Sequence, residues 1–281
     1  METLKNFGAF VLLIFFMVHN TSVNCQVLAP TYANVSYGDD PAQIVDYYIA
    51  PNNSLTSVTH VVILIHGGAW GGGSKSDMSP FVPFILSAFP GYLVANMEYR
   101  LGTWSSPGYP KQTEDIGAVI SFIKSKLPGQ KLTFALFGGS AGAHLSLLYG
   151  YRYDAINRDV SVVIDVVGPA DFTDPAYAWN LVYNWIFFAF IGPNFYFLNP
   201  GIYNETSPLT WATPNSPKTI GFYGDKDPLV PNSQHKILGD KLNNLGVVNE
   251  VTVYSGGHFD WSPTDVQDMK DKIVVFLAKY F

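Results

Sequence analysis

Residues 132–143 read Leu-Thr-Phe-Ala-Leu-Phe-Gly-Gly-Ser-Ala-Gly-Ala, an apolar run followed by Gly138-Gly139-Ser140-Ala141-Gly142. The apolar run predicts a buried strand, and the residues from Ala143 onward predict a helix. A G-x-S-x-G segment between a strand and a helix forms a strained turn that exposes the serine hydroxyl, and its glycines let the turn approach its neighbours. A plain Gly-Ser-Gly connection is the competing interpretation. The strand and helix context favours Ser140 as a nucleophile.

Strand-like and helix-like segments alternate around this stretch. The predicted strands cover 44–50, 60–65, 92–97, 132–137, 160–167, 219–223 and 250–254. The predicted helices cover 81–89, 114–126, 143–151, 232–245 and about 264–280. This alternation predicts an α/β protein with a doubly wound, mostly parallel sheet. Residues 169–217 break the alternation with many aromatic residues and predict a cap insertion over the sheet.

A nucleophilic serine needs a neighbouring base that takes its proton. His258 lies in a predicted loop, residues 255–259, after the last predicted strand. The other five histidines lie near the N-terminus, at strand ends or on predicted helices, where packing or surface roles suffice. Because the expected chain order is serine, acid, histidine, His258 is the candidate general base.

The acid that orients this base is expected between Ser140 and His258. Residues 224–230 follow a predicted strand and contain two carboxylates, Asp225 and Asp227. Asp227 is preferred because Pro228 makes the turn behind it rigid, whereas Asp225 suits an ordinary turn start. Two other carboxylates remain as less favoured alternatives, Asp171 and Asp260.

A glycine-rich loop at residues 66–73 follows the predicted strand 60–65. Backbone amides of such a loop, together with that of Ala141, can converge on an oxyanion. The competing interpretation is a phosphate-binding loop, but the Lys-Ser/Thr pair at the required spacing is absent. The loop therefore favours acyl-transfer chemistry.

These motifs resemble the α/β-hydrolase superfamily, in its esterase and lipase branch with an HGG-x-W oxyanion motif. That branch also contains acetylxylan esterases, feruloyl esterases and kynurenine formamidase. The resemblance runs from about Ile44 to the C-terminus and includes Glu98-Tyr99-Arg100-Leu101, Thr113-Glu114-Asp115 and Gly168-Pro169-Ala170-Asp171.

The resemblance implies a catalytic triad of Ser140, Asp227 and His258. It implies oxyanion donors among Gly67, Gly68, Ala69 and Ala141, and a reaction that uses no cofactor or metal. Five aromatic residues are candidate substrate contacts: Trp70, Trp179, Trp185, Phe188 and Phe195.

The activity implied is hydrolysis of a small-molecule or carbohydrate-linked carboxylic ester. Two alternatives stay open: an amide or formamide hydrolase with the same machinery, and a catalytically silent fold that serves as a binding module.

Composition limits the partners. Hydrophobic residues make up 48% of the 281 residues and charged residues 14%, which is typical of a globular domain. The formal net charge of −6 excludes the basic footprint that nucleic-acid binding requires.

The first 25 residues predict a signal peptide, followed by a hydrolase domain at 26–281. Lys5 precedes an apolar run at residues 7–18, which is shorter than the roughly 20 residues of a membrane-spanning helix. We therefore expect secretion without a stable transmembrane anchor. A lipoprotein anchor at Cys25, the only cysteine, is the alternative. Three sequons predict glycosylation in a eukaryotic secretory pathway, at Asn34, Asn52 and Asn204.

Overall fold

The computed structural model describes residues 28–51 and 53–281. The predicted signal peptide, Cys25 and Asn52 lie outside the described residues. Asn34 and Asn204 are exposed. Their glycosylation stays a prediction.

Eight strands of the described chain form one sheet, in the order β1-β2-β4-β3-β5-β6-β7-β8. The strands are β1 (Tyr32–Ser36), β2 (Ile44–Ile49), β3 (His60–Ile65), β4 (Leu93–Met97), β5 (Thr133–Gly139), β6 (Val160–Val166), β7 (Lys218–Gly224) and β8 (Asn249–Tyr254). The first two strands pair antiparallel and the others parallel, which confirms the predicted mostly parallel sheet.

Strand β1 was not predicted from the sequence. It is an edge strand, and four of its five residues are exposed. Because neither of its faces is buried, it lacks the alternation of apolar and polar residues that marks a half-buried strand.

The helices of the described chain are α1 (Phe81–Ala88), α2 (Lys111–Lys126), α3 (Ala141–Leu148), α4 (Pro175–Ala178), α5 (Leu181–Ile191), α6 (Pro200–Thr206), α7 (Ser233–Asn244) and α8 (Pro263–Tyr280). Helix α3 begins two residues earlier than predicted and continues into a π-helical turn, Tyr149–Tyr153. None of these helices combines the length and the apolarity that crossing a bilayer requires.

The helices cover both faces of the sheet because successive strand residues point to opposite sides. In β3, Val61, Ile63 and Ile65 pack into one core with residues of α2, α3 and α7. Val62 and Leu64 pack into the other core, with residues of α1 and α8. Both faces of β3 are thus buried, which explains its continuous run of apolar residues.

Strand register brings the carboxyl ends of the central strands to one edge of the sheet. Ile65 pairs with Gly138 between β3 and β5, and Gly139 pairs with Val166 between β5 and β6. Gly224 at the end of β7 pairs with Tyr254 at the end of β8. The loops that follow these strands therefore meet at this edge, where ligands bind in open α/β sheets.

Candidate active site

Ser140 lies in a strained turn between β5 and α3. Its φ of 53° and ψ of −118° are unusual for a residue with a side chain, and its N–H donates to Val166 O at 2.8 Å. A Cβ on Gly138 would lie 2.2 Å from Gly142 O, and one on Gly142 would lie 2.1 Å from Ile65 O. Both positions therefore require glycine, as the G-x-S-x-G pattern predicts.

His258 and Asp227 are in direct contact. His258 Nδ1 lies 2.7 Å from Asp227 Oδ2, and the side chain of Asp227 is 1% exposed. Because a carboxylate only accepts, Nδ1 carries the proton and Nε2 remains an acceptor. A Cβ on Gly139 would lie 3.3 Å from the Phe259 ring, so the loop of His258 borders the turn that carries Ser140.

The other candidate carboxylates accept from groups other than His258. Asp225 accepts from Gly256 N at 2.9 Å, and Asp260 accepts from Gly257 N. Asp171 accepts from both the N–H and the hydroxyl of Thr173. Asp171 and Asp260 thus accept from amides two or three residues away, as turn residues do. Asp225 instead joins its own loop to the loop of His258.

The glycine-rich loop lies against the serine turn. A Cβ on Gly67 would lie 3.2 Å from Ser140 Cβ. Gly68, Ala69 and Trp70 all have positive φ, at 122°, 46° and 61°.

Several amides of this loop, those of Gly68 and Ala69 among them, donate no hydrogen bond to any described residue, although Gly68 is buried. Ala141 begins α3, so its amide has no acceptor within the helix. Free, buried donors of this kind are uncommon, and they are what an oxyanion site uses.

His66 and Tyr99 support the start of this loop. His66 is fully buried, and its Nδ1 contacts Gly67 O at 2.7 Å. His66 Nε2 lies 3.2 Å from Glu98 Oε2 without the alignment of a hydrogen bond. The Tyr99 hydroxyl donates to His66 O at 2.8 Å. The Glu98-Tyr99 motif thus contacts the residue that begins the loop.

Trp70 lies in the core and not on an open pocket wall, contrary to its predicted role as a substrate contact. Its side chain is 3% exposed, and it packs against Phe172, Phe187 and Phe190. The indole Nε1 donates to His144 Nδ1 at 3.2 Å. All three phenylalanines belong to the insertion at residues 169–217, which therefore covers the indole.

His144 was assigned only a packing role from the sequence. It is fully buried on α3, and burial lowers its pKa to about 3, although its hydrogen bond to Thr206 O acts in the opposite direction. Its Nε2 lies 2.9 Å from Thr206 O and therefore donates, which leaves Nδ1 as the acceptor for Trp70. Neutral His144 thus joins the glycine-rich loop to the segment between β6 and β7.

The segment between β6 and β7 contacts loops on both sides of Ser140. The Tyr183 hydroxyl, from α5, donates to Pro228 O at 3.0 Å in the loop of Asp227. On the other side, a Cβ on Gly71 would lie 3.2 Å from the Cβ of Ala189, also on α5. Helix α5 therefore spans from the loop of the acid to the glycine-rich loop.

The candidate substrate contacts in this segment differ in exposure. Trp179 is 68% exposed, Trp185 is 40% exposed, and Phe188 is 3% exposed. Phe195 is half-buried. Trp185, Phe188 and Phe195 pack on one another, and Trp104 joins them from outside the segment.

The part of the chain that the structure describes contains few other candidate sites. Within residues 28–51 and 53–281, no group of three or more His, Cys, Asp or Glu residues could hold a metal ion. A surface depression between Leu28, Tyr32, Ile49 and Leu55 lies at the amino ends of the parallel strands, opposite the edge of Ser140.

The chain is similar in sequence to one protein family and to several curated proteins. The BD-FAE family model matches residues 45–242. Esterase LipC of Mycobacterium tuberculosis is 26% identical over 221 residues, which cover 74% of this chain and 54% of LipC. Isoprenylcysteine alpha-carbonyl methylesterase of Arabidopsis thaliana is 25% identical over 245 residues, covering 79% of this chain and 55% of that protein. The chain thus spans about half the length of the curated relatives it matches.

Solved structures are similar in fold. A truncated carbohydrate esterase from gut microbiota has a TM-score of 0.72 at 20% identity, covering 90% of this chain and 98% of that one. Esterase 2 of Thermogutta terrifontis, phosphonylated by sarin, has a TM-score of 0.73 at 16% identity, covering 90% and 96%. At these identities the likeness concerns the fold.

Proposed function

The chain belongs to the BD-FAE family and has the α/β-hydrolase fold, and on that premise we propose that it is an exported serine esterase. In this proposal Ser140 attacks the carbonyl of a carboxylic ester and forms an acyl-enzyme that water releases. The observation that carries it is the hydrogen bond between His258 and Asp227, in a loop that borders the strained turn of Ser140.

The proposed roles follow from this geometry. His258 Nε2 takes the proton of the Ser140 hydroxyl during attack and returns it to the leaving alcohol. Asp227 holds the proton on Nδ1 and stabilises the imidazolium that forms. The same base then activates water, which attacks the acyl-enzyme and releases the acid.

The free amides of Gly68, Ala69 and Ala141 are the proposed oxyanion donors. They donate hydrogen bonds to the negative charge that develops on the carbonyl oxygen. The amides need not reorient, because the loop and the start of the helix hold them in place. Gly67 has no side chain and therefore lets the loop lie close to Ser140. The amide of Gly67 is the alternative oxyanion donor.

Substrate and export belong to the same proposal. Among the structural neighbours is a carbohydrate esterase, which supports a small-molecule or carbohydrate-linked ester as the substrate. Lys5 and the apolar run at residues 7–18 support export. Sequencing the N-terminus of secreted protein is expected to begin at Gln26, whereas a lipid on Cys25 would favour the anchored alternative.

Covalent labelling tests the proposed nucleophile. A fluorophosphonate probe is expected to label one residue, and peptide mapping to find it at Ser140. Ser140→Ala should abolish labelling and lower ester turnover by about 10³-fold or more with unchanged folding. Ser146→Ala, at a buried serine within α3, is the control and should retain labelling. No labelling of the native enzyme, or labelling elsewhere, would favour the silent binding module.

A further inference from the structure

The glycine-rich loop contains three consecutive residues in a backbone conformation that side chains disfavour. Gly68, Ala69 and Trp70 have φ of 122°, 46° and 61°. A Cβ on Gly68 would lie 2.0 Å from Gly72 O, so the first position requires glycine. Ala69 and Trp70 carry a Cβ, which makes left-handed conformations unfavourable for them. Some other interaction must therefore hold this conformation.

The contacts of Trp70 provide one such interaction. Its indole N–H donates to His144, and its ring is stacked on Phe190 with centroids 5.3 Å apart. Its backbone carbonyl accepts from Gly102 N at 2.8 Å and from the buried amide of Gln112 at 2.7 Å. Both the side chain and the backbone of Trp70 are therefore held in place.

The partner of the indole lies on the helix that Ser140 begins. His144 is four residues after Ser140, and its N–H donates to Ser140 O at 3.0 Å. The bond between Trp70 and His144 therefore connects the loop that carries the Gly68 and Ala69 amides to the helix that carries the nucleophile. These amides donate no hydrogen bond among the described residues. Their peptides are held through the carbonyls instead, since Gly67 O contacts His66 Nδ1 and Gly68 O accepts from the amides of Gly71 and Gly72.

We propose that Trp70 is a positioning residue for oxyanion stabilisation. Its hydrogen bond to His144 holds Ala69 and Trp70 in the left-handed conformation, in which the Gly68 and Ala69 amides face the carbonyl oxygen of the substrate. The inference rests on the proposed function of Ser140. In this role Trp70 supports the loop from its buried side, and does not contact the substrate as predicted from the sequence.

Trp70→Phe tests this role because it keeps an aromatic ring and removes the indole N–H. We expect kcat for a short-chain ester to fall about tenfold to a hundredfold, as when an oxyanion donor is misplaced, with KM within about twofold. Fluorophosphonate should still label Ser140 to completion, but more slowly. An unchanged kcat would overturn the inference, whereas absent labelling of the native enzyme would overturn the proposed function itself.

Ala69→Gly separates positioning from packing. Glycine adopts positive φ without the strain of a Cβ, so it favours the left-handed loop once the indole no longer holds it. In the Trp70→Phe background, Ala69→Gly should raise kcat by about fivefold more than it does in the native enzyme. Equal effects in both backgrounds would mean that Trp70 acts only through packing.

Trp211→Phe is the matched control. The indole of Trp211 also donates to an acceptor in the protein, Glu205 O at 2.9 Å, but its contacts lie outside the proposed machinery. It should show no coupling to Ala69→Gly. Should Trp70→Phe fail to fold, His144→Phe removes the same hydrogen bond from the other side, and the same outcomes apply to it.

Discussion

Asp227 uses its two carboxylate oxygens for two different purposes. Oδ2 lies 2.7 Å from His258 Nδ1, while Oδ1 accepts from the amides of Leu229 and Val230 at 2.7 and 2.9 Å. The carboxylate of Asp227 thus stabilises the turn in which Asp227 itself lies. The neighbouring Asp225 contacts Gly256 N and has no bond to His258.

Asp227→Asn should lower ester turnover far more than Asp225→Asn. An amide at position 227 can present its NH₂ group to His258 and favour the wrong tautomer, and a comparable change lowers kcat about 10⁴-fold in a well-studied serine protease. Steady-state kinetics of both variants, with melting temperatures as a folding check, provide the measurement. Equal losses would reopen the choice of acid.

Asp165 should make stability depend on pH. It is fully buried on β6, and burial raises its pKa to about 7, although hydrogen bonds from Tyr223 and Gly168 oppose this shift. Between the unfolded and folded pKa values the folded state binds more protons. Stability is therefore lost as the pH rises from about 4 to about 7.

Asp165→Asn should remove this loss because asparagine does not titrate in this range. Relative to the variant, the native protein should lose about 2–3 kcal/mol of unfolding free energy between pH 5 and pH 8. Urea unfolding at both pH values is the measurement. Asp271→Asn, on the exposed face of α8, is the control and should follow the native curve. Parallel curves for the native protein and Asp165→Asn would contradict the prediction.

Truncation of the exposed aromatic residues between β6 and β7 should change substrate discrimination. Trp179→Ala removes a largely exposed ring, so its melting temperature should change little, whereas Trp185→Ala removes a partly exposed ring and should lower it more. For a residue that lines the pocket, the ratio of kcat/KM between short and bulky esters should change. The change should correspond to about 1–3 kcal/mol in the difference between the two activation free energies.

Phe188→Ala should differ from these variants. Because Phe188 is 3% exposed, its truncation should destabilise the fold by roughly 3–5 kcal/mol. Phe195→Ala, at a half-buried residue, should show both effects. Tyr32→Ala, at the distant sheet edge, is the control for exposed aromatic residues. If no variant shifts the substrate ratio, the segment is cover and the pocket lies elsewhere.

Local chemistry explains which features were predictable from the sequence. The continuous apolar run of β3 and the glycines around Ser140 follow from local rules, since a strand buried on both faces and a tight turn each restrict residue types. The preference for Asp227 over Asp225 followed from Pro228, and the bond to His258 agrees with that preference. The family membership agrees with the motifs that suggested it.

The sequence by itself determined the sheet, the strained turn of Ser140 and the loops that carry His258 and Asp227. Only the tertiary structure decided the role of Trp70, because burial depends on what the segment between β6 and β7 covers. The same holds for His144, whose neutral state follows from burial against residues distant in the chain. Edge strand β1 also needed the tertiary structure, since its pairing with β2 leaves no local apolar pattern. Local patterns record which face of an element is buried, whereas contacts between distant segments are set by the packing of the whole chain.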